Sequence, residues 1–124
     1  MIAAARLGLA AVLVMAGAAL AEPASAASAA IRRGAALAAS NCAACHATGL
    51  TGASPNPKSP PFVEVGQRYA DLRLDWELEA IAEVGHYQMP ARPLTAGQIN
   101  DLVAYIRDLN RQAARRGPVK VDRP

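Results

Sequence analysis

The sequence predicts an all-α fold in one domain, and three observations support this prediction. Apolar residues recur at helical spacing near the end of the chain, at Ile99, Leu102, Val103, Ile106 and Leu109. No segment alternates apolar and polar residues as a half-buried strand would. Glycines and prolines cluster between the periodic segments, where they interrupt regular structure. At 124 residues the chain has room for a single domain, so we expect helices joined by loops.

The first 21 residues are predicted to form a secretory signal peptide. Arg6 precedes an unbroken apolar run from Leu7 to Leu20, which is short for a membrane span. Small residues that favour cleavage follow, so cleavage is expected after residue 21 or as late as 26–27. The mature protein is therefore predicted to be soluble and exported, to the periplasm or another compartment outside the cytosol. The alternative is an uncleaved N-terminus that anchors the protein to a membrane.

The next segments are a helix, a loop and a short helical piece. An alanine-rich helix is predicted from about Ala29 to Asn41, with Ser28 as its N-cap. Residues 47–61 contain two glycines and four prolines, which exclude regular structure. Because there is only one domain to connect, we expect an ordered loop rather than a flexible linker. A short helix is predicted at Phe62–Tyr69.

Two further helices complete the predicted domain. One covers Asp75–Val84 and ends at Gly85. The other begins at Thr95, which together with Gln98 fits a capping box, and closes at 117–118, a Gly-Pro pair. The domain is assigned to residues 28–112, and residues 113–124 are predicted to be a flexible tail.

The run Cys42-Ala43-Ala44-Cys45-His46 contains both cysteines and one of the two histidines of the chain. A C-x-x-C-H run is the attachment signature of a c-type haem, in which both thiols form thioethers and the histidine binds iron. A redox dithiol is an alternative, but the βαβ pattern that usually accompanies it is missing. A structural zinc site normally needs four ligands, and the chain offers only these three and His86. The sequence therefore favours one covalently bound haem c with its iron.

Met89 is the methionine that remains once the leader is removed, and it lies in a Met-Pro turn. A thioether is a suitable second iron ligand, and a Met/His pair raises the reduction potential. Met89 is thus predicted to be a metal ligand together with His46. The alternatives are that Met89 only fills a gap in the core or that His86 is the second ligand.

Taken together, these features resemble the class I cytochromes c, the monohaem, Met/His-ligated family, in their small bacterial form. The resemblance runs from about Ala30 to Leu109 and follows the order N-terminal helix, C-x-x-C-H, proline-bearing loop, Met-Pro turn and final helix. It implies a small cytochrome c fold in which the N- and C-terminal helices cross and haem lies in the core. Gly34 matches the family's glycine at that crossing, and Leu102 and Tyr105 are the implied contacts.

The resemblance also implies further residues that contact the cofactor. A proline carbonyl in the loop accepts a hydrogen bond from the ligating histidine in this family, and either Pro60 or Pro61 fits that role. Trp76 is a candidate donor to a haem propionate, although packing on a helix face is the favoured interpretation. The chain departs from many relatives in its lysines, because Lys58 and Lys120 are the only two. The docking surface is therefore not predicted by the resemblance.

Charge and motifs together predict an electron-transfer protein rather than an enzyme. The formal charge of +3 falls to +2 without Arg6, and two propionates would cancel it, so nucleic acid is not an expected partner. No nucleophile–base pair or phosphate-binding loop appears in the sequence. The predicted function is a one-electron carrier that acts by outer-sphere transfer at an exposed haem edge, with redox proteins as partners. The alternatives are a haem subunit of a dehydrogenase or oxidase complex, or a five-coordinate peroxidase or gas-binding protein if Met89 does not bind.

Overall fold

The computed structural model describes residues 23–69, 73–85 and 89–117. Within these ranges the chain forms four helices: α1 at Pro23–Asn41, α2 at Phe62–Arg68, α3 at Leu74–Val84 and α4 at Ala96–Arg116. The described residues contain no extended strand, which confirms the all-α prediction. None of the helices in these ranges is long and apolar enough to cross a bilayer.

The last helix is the centre of the domain, because α1, α2 and α3 each pack against α4. Its predicted apolar stripe is buried throughout, and it extends one turn further, to Ala113. The core is completed by one or two residues from each of the other helices, namely Ala38, Phe62, Leu74 and Ala82. The helical periodicity of the sequence therefore identified the face that forms the core.

The crossing of α1 and α4 depends on Gly34, as the resemblance implied. A Cβ atom added at Gly34 would overlap the Asp101 carbonyl oxygen and lie 2.8 Å from Cβ of Tyr105. The nearest atoms thus belong to Asp101 and Tyr105 rather than to Leu102. A bidentate ion pair from Arg33 to Asp101, with both N···O distances 2.7 Å, holds the same crossing from outside.

The structure also supports the predicted helix ends of α3 and α4. Thr95 Oγ1 accepts from the Gln98 backbone N–H at 3.2 Å, and Gln98 Oε1 accepts from the Thr95 backbone N–H at 2.9 Å. This is the predicted capping box. Gly85 ends α3 with φ +69°, a left-handed conformation that favours glycine.

Two predicted boundaries differ from the structure. The first helix begins at Pro23, so Ser28 lies inside α1 and is not its N-cap. Alanine has the highest helix propensity, so the alanine-rich residues before Ser28 favour helix as well. At the other end, α4 continues to Arg116 and buries Ala113, so the predicted tail from 113 starts four residues too early. The predicted signal peptide and residues 118–124 lie outside the described residues.

Candidate functional site

The C-x-x-C-H run forms a tight turn directly after α1. The Cys42 N–H donates to the Ala38 carbonyl at 2.9 Å, which continues the hydrogen bonding of the helix for one more residue. The N–H groups of Cys45 and His46 both donate to the Cys42 carbonyl, at 3.1 and 3.0 Å. The turn leaves Cys42 half-buried and Cys45 exposed, and both thiols are free.

The ring of His46 is held by the loop that follows the motif. Its Nδ1 lies 2.8 Å from the Pro60 carbonyl oxygen. A carbonyl oxygen can only accept, so Nδ1 carries the proton and the Nε2 lone pair remains available to a metal. The Phe62 ring packs against the His46 ring, with the two ring centroids 5.6 Å apart and the ring planes tilted by 54°. Of the two prolines that the resemblance offered, Pro60 makes the contact with His46.

The loop from 47 to 61 is fastened to the motif at several points, as expected for an ordered loop. The Asn56 N–H donates to the Cys45 carbonyl at 3.1 Å, and the Phe62 N–H donates to the Ala47 carbonyl at 2.9 Å. The Tyr105 hydroxyl donates to the Thr48 carbonyl at 2.8 Å, which joins the loop to α4. The hydrogen bond between Pro60 and His46 therefore depends on how the loop is held at both of its ends and by α4.

An apolar cleft lies beside the motif, between α3 and the segment before α4. Its lining brings Cys42 and Met89 together, although 47 positions separate them in the sequence. Most of the other lining side chains are apolar, and the complete set is Asn41, Leu78, Ile81, Ala82, Arg92, Leu94 and Leu102. His46 and Cys45 do not line this cleft. The cleft thus presents one thiol and one thioether in hydrophobic surroundings.

The electrostatics of Cys42 differ from those of a redox dithiol. Burial raises the pKa of the Cys42 thiol, and the nearby Arg92 guanidinium opposes that rise. A reactive dithiol works by the reverse shift, because its thiolate must be accessible at neutral pH. The environment of Cys42 is therefore unlike that of the reactive thiol of a redox dithiol.

Two other candidate residues are not brought to the cleft. Trp76 is 64% exposed on the outer side of α3, where the Arg73 guanidinium lies 4.9 Å from the centre of its ring. The Trp76 ring thus lies on the surface of α3 against Arg73, and it is not part of the core. No contact with the cleft supports its role as a propionate donor. His86 lies outside the described residues.

Sequence reasoning missed two contributors to the site. Arg92 is the one charged residue among the lining residues of the cleft. Arg92 lies three residues after Met89, and this closeness in sequence could have indicated that both residues line the same site. Phe62 was assigned only to a short helix, yet its ring is 95% buried and packs on His46. Its position directly after the two candidate prolines, Pro60 and Pro61, could have indicated this contact.

The donor set fits a covalently attached haem. One thiol faces an apolar cleft and the second lies one turn away, so both can be joined to one flat hydrophobic group. His46 has a fixed tautomer with Nε2 free, and a thioether sulfur is present on the cleft wall. Among the described residues, no three side chains of the types His, Cys, Asp or Glu come together as an alternative metal site.

Comparison with known proteins gives one result. The family described as cytochrome c oxidase, cbb3-type, subunit III matches residues 29–106, which is more than half of the chain. No curated protein and no solved structure matches this chain. The matched range contains the C-x-x-C-H turn, Pro60, the cleft and about half of α4. The chain therefore belongs to this family, as a class I monohaem cytochrome c domain that binds haem c covalently and takes part in electron transfer.

Proposed function

We propose that the protein is an exported, soluble monohaem cytochrome c that carries single electrons between protein partners by outer-sphere transfer at an exposed haem edge. His46 and Met89 are the proposed axial ligands, and Cys42 and Cys45 hold the group as thioethers. When bound, haem c supplies a one-electron ferric/ferrous couple. The observation that carries the proposal is the apolar cleft whose lining includes both Met89 and Cys42, together with the hydrogen bond to Pro60 that orients His46 in the same motif as Cys42.

The side chains of the site provide three conditions for this function. The Pro60 carbonyl holds the Nδ1 proton of His46, so Nε2 stays unprotonated and oriented as a ligand. Leu78, Ile81 and Leu94 make the cleft wall apolar, and a low local dielectric favours the less charged reduced state. If sulfur and imidazole fill both axial positions, no open position remains for a substrate. This arrangement supports a carrier rather than an enzyme.

The test is spectroscopy with intact mass on protein exported from a host that matures c-type cytochromes. We expect one covalent haem, loss of the leader, and the weak ferric band at the red end of the visible range that reports sulfur ligation. Met89→Ala should abolish that band and allow carbon monoxide to bind. Leu78→Ala, which changes another residue of the same cleft, should retain both properties of the parent.

Three results would contradict the proposal. Pigment that washes out in acidic acetone would rule out covalent attachment. If Met89→Ala leaves the red band in place, Met89 is not the ligand. Carbon monoxide binding by the parent protein would indicate an open axial position, and a five-coordinate peroxidase or gas-binding protein would then be the better interpretation.

A second candidate function is supported by the family itself, whose description names a subunit of a cbb3-type cytochrome c oxidase. In this case the domain would serve a single complex rather than diffuse between partners. Size-exclusion of native material against the isolated holoprotein separates the two functions. Elution of the native pigment at the size of the isolated chain supports the carrier, and co-elution with a large assembly supports the subunit.

A further inference from the structure

The outer face of α3 is an exposed surface that the proposed site does not use. On this helix the inward residues Leu78, Ile81 and Ala82 line the cleft together with Met89. The same helix therefore forms a wall of the site, and its outer face is separated from the cleft by about one helix diameter, ~10 Å. A molecule bound to this face would rest directly against the wall of the redox site.

The centre of this outer face is apolar. Trp76 and Val84 are 64% and 75% exposed, and they are the large hydrophobic side chains that the described chain leaves in solvent. They lie eight residues apart with the exposed Ala80 between them, so all three share one side of the helix. Arg73 stacks on Trp76 and holds its ring in place. Exposed aromatic residues in such a patch are typical of protein interfaces.

Carboxylates surround this apolar centre. Glu77, Glu79 and Glu83 are exposed, and none of their side chains has a hydrogen-bonding or ion-pair partner among the described residues. Each described ion pair lies on another element, between Arg33 and Asp101, Arg68 and Glu64, or Arg111 and Asp108. Glu79 and Glu83 also border a groove that continues over Pro93, Leu94, Ala96 and Ile99. The face therefore carries three carboxylates without ion-pair partners and one cation, Arg73, so its charge is net negative around a hydrophobic stripe.

We propose that this outer face of α3, formed by Trp76, Ala80 and Val84 with Glu77, Glu79 and Glu83, is the docking surface for a redox partner with a basic, apolar-centred patch. Charge complementarity selects a basic protein, because carboxylates steer a cationic surface towards the stripe and repel an acidic one. The inference rests on the proposed function, which requires a partner. The acidic docking surface is also consistent with the lysine content, because the two lysines of the chain are too few to form a ring of lysines around a haem edge.

The experiment uses ferrous holoprotein and two small oxidants of opposite charge. In each reaction the reduced protein gives one electron to the reagent, which yields oxidised protein with either the cobalt(II) complex or ferrocyanide. Tris(phenanthroline)cobalt(III) is a trivalent cation with an aromatic surface and resembles the proposed partner in chemistry, whereas ferricyanide is an anion. Stopped-flow rates are measured at about 0.01 M and about 1 M salt, where the Debye lengths are ~30 Å and ~3 Å.

The test variant is Glu79→Gln with Glu83→Gln, and its matched control is Glu64→Gln with Asp108→Asn. Both change the net charge by the same amount. The control breaks two surface ion pairs, which contribute little to stability, and the amide oxygen that replaces a carboxylate oxygen of Asp108 can still accept from Gln112. We expect the test variant to react with the cobalt complex about three- to tenfold more slowly at low salt, and like the parent at high salt. The control should remain near the parent rate, and ferricyanide should not be slowed by either variant.

A second measurement separates the apolar contribution from the charges. Trp76→Ala should slow the reaction with the cobalt complex at both salt concentrations, because salt does not screen an apolar contact. NMR titration of the holoprotein with a peptide of alternating lysine and leucine should shift signals concentrated in residues 76–84. Equal slowing by the test and control pairs, or shifts centred elsewhere, would overturn the proposal.

Two outcomes identify a different occupant or a different failure. Self-association of the holoprotein that Trp76→Ala abolishes would mean that a second copy covers this face, which overturns the basic partner. Normal electron exchange with both reagents and no response to any α3 variant would refute the docking surface and leave the proposed function intact. Failure of the holoprotein to exchange electrons with either reagent would refute the proposed function itself.

Discussion

Replacing Gly34 by alanine tests the crossing of α1 and α4. The new Cβ would overlap the Asp101 carbonyl oxygen and lie 2.8 Å from the Tyr105 Cβ, whereas carbon atoms pack best at about 3.5–4.0 Å. The overlapped atom belongs to the backbone of α4, so it cannot rotate away as a side chain would. The two helices must separate, and the contacts that they share along the crossing are weakened.

The size of the effect follows from two opposing contributions. Overpacking of a tight contact costs about 1–3 kcal/mol, and a backbone overlap belongs at the upper end of that range. Alanine recovers up to about 1 kcal/mol of helix propensity relative to glycine. The expected net loss is about 2 kcal/mol from a total free energy of unfolding of roughly 5–15 kcal/mol. For a domain of this size, that loss lowers the Tm by roughly 8–16 °C.

The assay is denaturant and thermal unfolding of the holoprotein followed by circular dichroism. Gly97→Ala is the matched control, because a Cβ there meets only Thr95 Oγ1, at 3.9 Å. This control should be as stable as the parent or slightly more stable. A Gly34→Ala variant that is no less stable than the Gly97→Ala variant would refute the packing argument, since the propensity gain would then be uncompensated.

Two further predictions concern contacts between distant parts of the chain. Tyr105→Phe removes the hydrogen bond to the Thr48 carbonyl and should cost about 1 kcal/mol of unfolding free energy in denaturant titrations. Burial raises the pKa of Tyr105 in the folded protein. The stability that Tyr105 contributes is therefore complete below the ordinary tyrosine pKa and is lost as the pH rises through the pKa of the folded state. The phenylalanine variant should not show this loss of stability at alkaline pH. The hydrogen bonds from Arg33 lower the pKa of Asp101, so that pair contributes stability above the ordinary aspartate pKa and loses it as the pH falls through the folded value. In Arg33→Gln the free energy of unfolding should depend less on pH below about pH 4. The same pH dependence as in the parent would contradict this assignment.

The local features of this protein were predictable from the sequence because they depend on neighbouring residues. The capping box at Thr95 and the end of α3 at Gly85 use groups within one helical turn. The stripe on α4 is buried as its period predicts, and the C-x-x-C-H motif carries its chemistry in five consecutive positions. The start of α1 was misjudged, because a serine that can cap a helix can also lie inside one.

Long-range contacts were decided only by the tertiary structure, because residues far apart in sequence become neighbours only after packing. The choice of Pro60 over Pro61 depends on how the 47–61 loop is fastened at Cys45 and Tyr105. The exposure of Trp76 depends on which side of α3 faces α4, since a single aromatic residue does not indicate its own orientation. The proximity of Cys42 and Met89 likewise arises where α3 and α4 converge on the end of α1.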